Sequence, residues 1–381
     1  MHILIAPNAF KNSLNAQESA IVIRDGLKRS SLNATYECFP IADGGDGTGS
    51  LIIDKCGGIW HECHAHDPLG RVIRVPYGII DEGRTAVIEM ADASGIRLLK
   101  QEELNPLKTS SFGTGELILN ALDRGVDTII LGLGGSATVD GGVGILKALG
   151  IRFLDQGGNE LSGLTESLHD LHQINLEKLD KRILTCKIVV LCDVDNLLLG
   201  ENGSAAVFGP QKGADPDDIP ILDSALKILS DKAYEATGRK MDEVVHGGAA
   251  GGIAAALCVF FNAALVNGAE YFLKITGFST SIKKADLLIT AEGSLDEQTL
   301  QGKAPYAVAK AAKELNIPVI GIAGKVPMTD NPDMHKYFNI LMAIGNQPTD
   351  LETAMKYTAS NLIRTSRTIG DLMNLLTVKR V

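Results

Sequence analysis

A strand-like run that ends in a glycine loop is the feature that most constrains the fold of this chain. Residues 128–142 read TIILGLGGSATVDGG, so an apolar β-branched run passes directly into glycines, small hydroxyl residues and Asp140. In such a loop the backbone N–H groups are not covered by side chains, and beside a helix start they can bind phosphate or carboxylate oxygens. A tight strand-to-helix turn would give the same pattern. The chain repeats the theme at other loops, and this repetition favours ligand binding.

The order of the predicted elements is typical of an α/β fold. The strand HILIAP, a helix from Ala16, the strand YECFPIA and a helix up to Lys55 open the chain, and the strands DLLITAEG, PVIGIAG and NILMAIG lie near its end. Two strands from the front and three from the back predict a flavodoxin-like, doubly wound parallel sheet.

The middle of the chain departs from this order and predicts a second α/β domain inserted into the first. Residues 59–91 alternate like an antiparallel meander, with DPLG and DEG turns between the strands. The predicted limits are residues 1–60 with 266–381 for the flavodoxin-like domain and 61–265 for the inserted domain. A simple division into an N-terminal and a C-terminal half is the competing layout.

The composition of the chain limits which binding partners and which cellular compartment we expect for the protein. The 381 residues suffice for two domains, the net charge is −10 and basic runs of five or more are absent from the sequence, so we expect no nucleic acid partner. The six cysteines lack a C-x-x-C pair, and the start MHILIAP lacks a basic region, which predicts a cytoplasmic protein without a signal peptide. The uncharged segment 247–269 is rich in Ala and Gly, so we expect a buried helix there and no membrane partner.

The first two strands lead into loops with charged residues. Lys11 lies ahead of the first helix, where it can meet a phosphate or a carboxylate or remain on the solvated surface. Asp43 and Asp46 are separated by glycines, and two such carboxylates can hold Mg²⁺, with Thr48 as a further ligand. The alternative is a turn with an aspartate that caps a helix.

Later loops add a base candidate and further cations. Asp193 ends the strand CKIVVLC, Lys212 lies between glycines, and Glu292 ends another apolar strand. Acids, lysines and glycine loops without a nucleophilic Cys or Ser–His pair favour phosphoryl transfer, which depends on positioning and charge neutralisation. The sequence contains no P-loop, no protein-kinase motif set and no G-x-S-x-G elbow.

A dinucleotide site is the strongest rival interpretation. Residues 132–137, which begin at Gly132 and end at Ala137, fit G-x-G-x-x-A after a strand, and Asp155 follows the next strand. This pattern would make the protein an NAD-linked oxidoreductase. A non-catalytic sensor of a sugar acid or nucleotide is a third option.

At these same loops the chain resembles the bacterial glycerate kinase family (type 1), and the resemblance spans nearly its whole length. The matching stretches, in chain order, are residues 6–13, 42–48, 113–117, 134–138, 140–142, 192–194, 208–214, 249–252 and 292–293 with Asp296.

The resemblance implies ATP- and Mg²⁺-dependent phosphorylation of D-glycerate, with 2-phosphoglycerate favoured over 3-phosphoglycerate and a site in the cleft between the two domains. ATP and glycerate are then the expected ligands, and a homodimer stays open. The expected catalytic residues are Asp193, Lys212, Lys11 and Glu292, and the expected metal ligands are Asp43 and Asp46. The expected phosphate- and substrate-binding residues are Ser13, Gly44, Gly45, Gly134, Gly135, Ser136, Thr138, Asp140, Gly251, Gly252 and Asp296.

The chain also departs from the family pattern. Asn8-Ala9 replaces Asp-Ser, Asn12 and Asp46 replace Glu, Val139 replaces Asn, Leu198 replaces Pro, and Phe112 and Ser294 replace Arg. Because arginine binds carboxylate or phosphate as a bidentate fork, the loss of two arginines leaves kinase chemistry better supported than glycerate itself. A kinase of a related small hydroxy acid is therefore a further alternative.

Overall fold

The chain forms two compact units, each built on its own sheet. The structure is a computed structural model that describes residues 1–162, 164–329 and 331–378. Unit 1 consists of Met1–Asp43 and Ala269–Val381, and unit 2 is Gly44–Gly268. The predicted domain limits, residues 1–60 with 266–381 and residues 61–265, stay a prediction.

The strands follow the order in the chain. They are β1 (His2–Ile5), β2 (Thr35–Cys38), β3 (Ile59–His66), β4 (Val72–Ile80), β5 (Thr85–Glu89), β6 (Thr128–Gly132), β7 (Arg152–Leu154), β8 (Gln173–Asn175), β9 (Lys187–Leu191), β10 (Ala264–Val266), β11 (Leu287–Ser294), β12 (Val319–Lys325) and β13 (Ile340–Ala343).

The α-helices lie between and after these strands. They are α1 (Ala16–Lys28), α2 (Thr48–Lys55), α3 (Ala91–Ser94), α4 (Phe112–Asp123), α5 (Val143–Ala148), α6 (Ser204–Phe208), α7 (Asp218–Thr237), α8 (Ile253–Phe261), α9 (Gly268–Ile275), α10 (Phe278–Ile282), α11 (Ala304–Glu314), α12 (Pro332–His335), α13 (Leu351–Lys356) and α14 (Thr358–Val378).

Unit 1 is built on a five-stranded parallel sheet in the order β13-β12-β11-β1-β2. Numbered within the sheet, this is the flavodoxin-like order 2-1-3-4-5, as predicted. Helix α1 begins where expected, because the Asn15 side chain accepts a hydrogen bond from the Glu18 N–H and the Glu18 carboxylate accepts one from the Asn15 N–H. Its apolar face is buried, and a Cβ at Gly26 would lie 2.6 Å from the Ile363 carbonyl of α14. Glycine therefore lets these two helices pack closely.

Unit 2 is built on a six-stranded sheet in the order β10-β9-β6-β5-β4-β3. Strands β3, β4 and β5 pair antiparallel, which confirms the predicted meander, whereas β5, β6, β9 and β10 run parallel. The carboxyl ends of the four parallel strands therefore meet at one edge, where α/β folds bind ligands. A small antiparallel pair, β7 with β8, completes the strands of the described part of this unit.

Several elements differ from the sequence prediction, and the largest differences concern three helical segments. The helix predicted within residues 247–269 occupies only Ile253–Phe261, where all nine residues are buried; Asn262 then adopts a left-handed conformation with φ of 55° and the chain continues as β10. The 20-residue helix α7 lies in a stretch for which no element was predicted. The predicted last helix is interrupted at Tyr357 and divided into α13 and α14. Within the described residues, no helix is long and apolar enough to cross a membrane.

Candidate active site

The strand ends of unit 1 surround a cavity of about 440 Å³. Strands β11, β12 and β13 reach this edge with Gly293, Gly324 and Gly345, and all three glycines line the cavity. A Cβ at Gly324 would lie 2.8 Å from the Gly293 carbonyl, whereas a Cβ at Gly345 would meet nothing within 4 Å. The first two strand ends therefore pack closely, and the third leaves open space.

Two acids are held together at the edge of this cavity. The Asn8 side-chain amide donates to Oδ2 of Asp43 at 3.0 Å and to Oε1 of Glu292 at 3.2 Å. Among the described residues, Oε2 of Glu292 is buried and has no hydrogen-bond partner. Burial raises the pKa of Glu292 to about 7, with Lys303 opposing the rise and Asp43 adding to it. Asn8 supplies both of these donors from a neutral amide, so it adds no charge beside the two acids.

Lys11 lies at the tip of a compact turn. The Phe10 carbonyl accepts from the N–H groups of Ser13 and Leu14, and Asn12 takes a left-handed conformation with φ of 63°. Phe10 is only 4% exposed and anchors the turn in the core, so Lys11 is exposed and lines the cavity. The Ser13 hydroxyl donates to the Met355 carbonyl at 2.7 Å, and its role toward a ligand stays a prediction.

The loop after β11 is organised by Asp296. Its carboxylate accepts from the Gln298 N–H at 3.1 Å and from the Ser294 hydroxyl at 2.9 Å, so it caps the 3₁₀ helix Glu297–Gln301. This capping gives Asp296 a structural role that needs no ligand. The binding role predicted for Asp296 stays a prediction. Lys303, which follows this turn, lines the cavity together with Lys11 and Lys325.

In unit 2 a carboxylate of the chain itself binds the N–H groups at the start of α2. The Glu89 carboxylate at the end of β5 accepts the N–H groups of Gly47, Gly49 and Ser50 at the start of α2. Burial, with the charges of Asp92 and Asp46, raises the pKa of Glu89 against the effect of these bonds. A Cβ at Gly49 would lie 2.7 Å from the Glu89 Cγ, so the glycine makes room for this acid.

Glu89 was missed by sequence reasoning, as was Arg97. In the sequence Glu89 is an acid within the strand predicted over residues 84–91, and an acid in an otherwise apolar run was its one signal. The Arg97 guanidinium pairs with Asp46 at 3.0 Å and also with Asp92. Asp46 therefore already has a cationic partner, and its predicted role as a metal ligand stays a prediction.

Glycines let the loops of unit 2 pack around Asp193. A Cβ at Gly134 would lie 2.7 Å from the backbone of Gly45, and a Cβ at Gly44 would lie 3.1 Å from Oδ2 of Asp193. Asp193 is exposed at the end of β9, and its Oδ1 accepts the Gly268 N–H at 2.9 Å. These contacts bring the predicted loops 44–46 and 134–135 and the predicted base to the same edge of one sheet. Gly135 has φ of 70°, a conformation that favours glycine.

Lys212 lies inside the protein. Its side chain is 2% exposed, and Nζ donates to Oγ of Ser136 and to the Thr138 carbonyl, each at 2.7 Å. Burial lowers the pKa of Lys212 to about 7, with Asp140 opposing. An ammonium with these contacts holds the loop 136–138 in place, and direct contact with a phosphoryl group stays a prediction.

Asp140 is fully buried in the same loop. Its carboxylate accepts from the N–H and the hydroxyl of Ser111 and from the N–H groups of Gly142 and Gly144. All four donors belong to the protein, so Asp140 has a structural role at the start of α5 that needs no ligand. Its predicted binding role stays a prediction.

Gly251 and Gly252 pack against the loop that contains Asp140. The Gly251 carbonyl accepts the Gly141 N–H at 2.9 Å, and a Cβ at Gly251 would lie 2.1 Å from the Thr138 carbonyl. A Cβ at Gly252 would lie 3.1 Å from the Gly141 Cα. Close packing thus accounts for both glycines, and their contact with a ligand stays a prediction.

The geometry does not favour the dinucleotide interpretation of the loop that begins at Gly132. In a dinucleotide fold the helix starts directly at the glycine turn. Here α5 begins only at Val143, after a loop closed by Asp140. Asp155 accepts bonds from the N–H and side chain of Asn159 in an exposed turn.

The comparisons with a family model, with similar sequences and with a solved structure all find glycerate kinases. The model of the "Glycerate kinase family" matches residues 3–374. The chain is 42% identical over 375 residues to "Glycerate kinase" of Bacillus subtilis (strain 168), covering 98% of both chains, and 41% identical over 376 residues to "Glycerate 2-kinase" of Escherichia coli (strain K12), covering 97% of both. A crystal structure described as that of a "putative glycerate kinase 2" from Salmonella typhimurium LT2 aligns over 100% of both chains, with a TM-score of 0.84 and 40% identity.

Proposed function

We propose a function that follows from one premise: this chain belongs to the glycerate kinase family. The protein transfers the γ-phosphoryl group of ATP to a hydroxyl group of D-glycerate. The similar protein named glycerate 2-kinase supports the 2-hydroxyl as acceptor and 2-phosphoglycerate as product. The observation that carries the proposal is the family match over residues 3–374, since it includes every loop discussed above.

The charged groups of unit 1 suit the donor side of this reaction. Phosphoryl transfer depends on neutralising phosphate charge, and Lys11 and Lys303 bring positive charge to the cavity. Asp43 and Glu292 fit Mg²⁺, because both offer carboxylate oxygens and one Glu292 oxygen is buried without a partner among the described residues. When bound, Mg²⁺ neutralises charge on the transferring phosphate.

Asp193 suits the role of proton acceptor. It is exposed at a strand end, its Oδ1 is fixed by the Gly268 N–H, and Gly44 lies against its other oxygen. An aspartate that accepts the proton of the substrate hydroxyl is a recurring part of kinase sites. We assign this role to Asp193, and we assign contacts with substrate oxygens to the backbone of Gly134 and Gly135.

Lys212 acts in this proposal as a positioning residue. Its two bonds fix the Ser136 hydroxyl and the Thr138 carbonyl, which follow the glycines of the same loop. The sequence prediction gave it a direct catalytic role, and the buried position supports the indirect one better. The roles predicted for Ser13, Asp46, Asp140, Gly251, Gly252 and Asp296, the homodimer and the cytoplasmic location stay predictions.

One assay tests the reaction. ADP release is measured with D-glycerate, L-glycerate, lactate and tartronate, with Mg²⁺ and with a chelator, and the product is identified by ³¹P NMR. We expect D-glycerate and Mg²⁺ to give the highest rate, and 2-phosphoglycerate to be the product. ADP release with none of these acids, or release only with another acid, would overturn the proposed substrate.

A matched pair of variants tests the role of Asp193. Asp193→Asn should lower kcat on the order of 10²-fold or more, as expected for loss of a general base. Asp195→Asn is the control, because this neighbouring acid is 89% exposed and pairs with His246 at 3.1 Å. Near-normal turnover of Asp193→Asn with an unchanged melting curve would remove Asp193 from the mechanism.

A further inference from the structure

The cavity of unit 1 is too large for a three-carbon acid alone. Its volume of about 440 Å³ lies within the range of about 300–1,000 Å³ that is typical of pockets for drug-sized ligands. Its place at the carboxyl ends of β11, β12 and β13 is where open parallel sheets bind nucleotides and related ligands. Glycerate would leave most of this volume unfilled.

One wall of the cavity is apolar. Ile344 follows β13, and Leu351, Ala354 and Met355 belong to α13. Leu351 is 74% exposed although it lines the cavity, so a ligand with a flat apolar surface would cover it. Glycerate carries polar groups on every carbon, and burying them against such a wall would cost free energy. A purine base suits this wall better.

Amide side chains complete the neutral part of the cavity. Asn346, Gln347 and Asn361 line it beside the apolar wall. Each carries donors and an acceptor, which can match the edge of a base that has both.

The remaining side of the cavity is positive. Three lysines, Lys11, Lys303 and Lys325, line it, and Glu292 is the one acid among the lining residues that the structure describes. The chain has a net charge of −10, so this excess of lysine is a local feature that opposes the overall charge. A diphosphate or triphosphate has the charge that would balance it.

We propose that this cavity binds the nucleotide, ATP or ADP, with the base against the wall of Ile344, Leu351, Ala354 and Met355 and the phosphates toward Lys11 and Lys303. The inference rests on the proposed function for the identity of the ligand, and it assigns the nucleotide to unit 1.

The test is a fluorescence titration of the full chain with ADP that carries an N-methylanthraniloyl group on its ribose, together with steady-state kinetics. Ala354→Phe fills the apolar wall. It should weaken binding of the ADP probe and raise KM for ATP by about tenfold or more, while KM for glycerate changes by less than about twofold. Ala359→Phe is the control, because this half-buried helical alanine does not line the cavity.

A second variant keeps the test decisive if Ala354→Phe fails to fold. Lys303→Met should weaken ADP by about tenfold but adenosine by less than about twofold, because only the phosphates meet the lysine. A higher KM for glycerate with unchanged ADP binding would overturn the inference and give the cavity to the acid. Unchanged ADP binding in both variants of an enzyme that phosphorylates glycerate would overturn the inference alone. The expected ADP pattern without phosphorylation of glycerate would overturn the proposed function alone.

Discussion

The buried ammonium of Lys212 gives this protein a specific dependence of stability on pH. In the unfolded chain its pKa is the ordinary 10.5, and burial in the folded state lowers it to about 7. Between these values the unfolded chain binds one more proton at this site than the folded chain. The free energy of unfolding therefore rises with pH across the interval, and Lys212→Met removes this contribution.

The size of the effect follows from the two pKa values. The interval from about 7 to 10.5 corresponds to at most about 5 kcal/mol, at 1.36 kcal/mol per pH unit. Between pH 7 and pH 9 the difference between wild type and Lys212→Met should change in favour of wild type by about 2 kcal/mol. Both bonds of the side chain survive deprotonation, because a neutral amine keeps two N–H donors for Ser136 and Thr138.

The assay is urea unfolding at several pH values between 6 and 9. Trp60, the one tryptophan of the chain, lies on β3 in the same unit as Lys212 and reports the unfolding of that unit. Lys187→Met is the control, since it removes an exposed lysine from β9. A difference between wild type and Lys212→Met that stays constant within about 0.5 kcal/mol over this range would refute the reasoning.

The remaining predictions concern the glycine loops and buried acids of unit 2. Asp140→Asn should lower the free energy of unfolding by about 3 kcal/mol, because an amide donor replaces an oxygen that accepts several bonds; an unchanged melting temperature with a raised KM would instead indicate ligand contact. Glu89→Gln should lower the melting temperature by several degrees, since it weakens the acceptor at the start of α2, and an unaltered melting temperature would contradict this. Gly135→Val should raise KM for ATP or glycerate more than tenfold, and unchanged values for both would support a plain turn.

The sheet of unit 1 could be predicted because its strands carry strong local signals. Four of the five strands are mostly apolar, β2 being the exception, and the number and spacing of the strands already indicate a doubly wound sheet. The sequence also placed Asp43 and Glu292 at strand ends. It did not show that Asn8 would join their carboxylates, because this depends on the pairing of β1 with β11.

Burial was the property that the sequence could not supply. Lys212 and Lys11 both lie in polar loops of the sequence, yet Lys212 is buried and Lys11 is exposed. Asp140 and Asp193 both follow apolar strands, but Asp140 is fully buried and accepts three backbone N–H groups, whereas Asp193 is exposed. Such differences arise from tertiary packing, which a local pattern does not encode.

The strand order of unit 1 has a consequence for synthesis on the ribosome. β1 is made first, and β2 can pair with one of its edges soon after. The other edge pairs with β11, which begins at Leu287, so it has no native partner until more than two thirds of the chain has been translated. Unit 2 ends at Gly268 and is complete before then. The nascent chain can therefore finish its second sheet while the first still has an open edge, and until β11 is made this edge of β1 is open to non-native strand pairing.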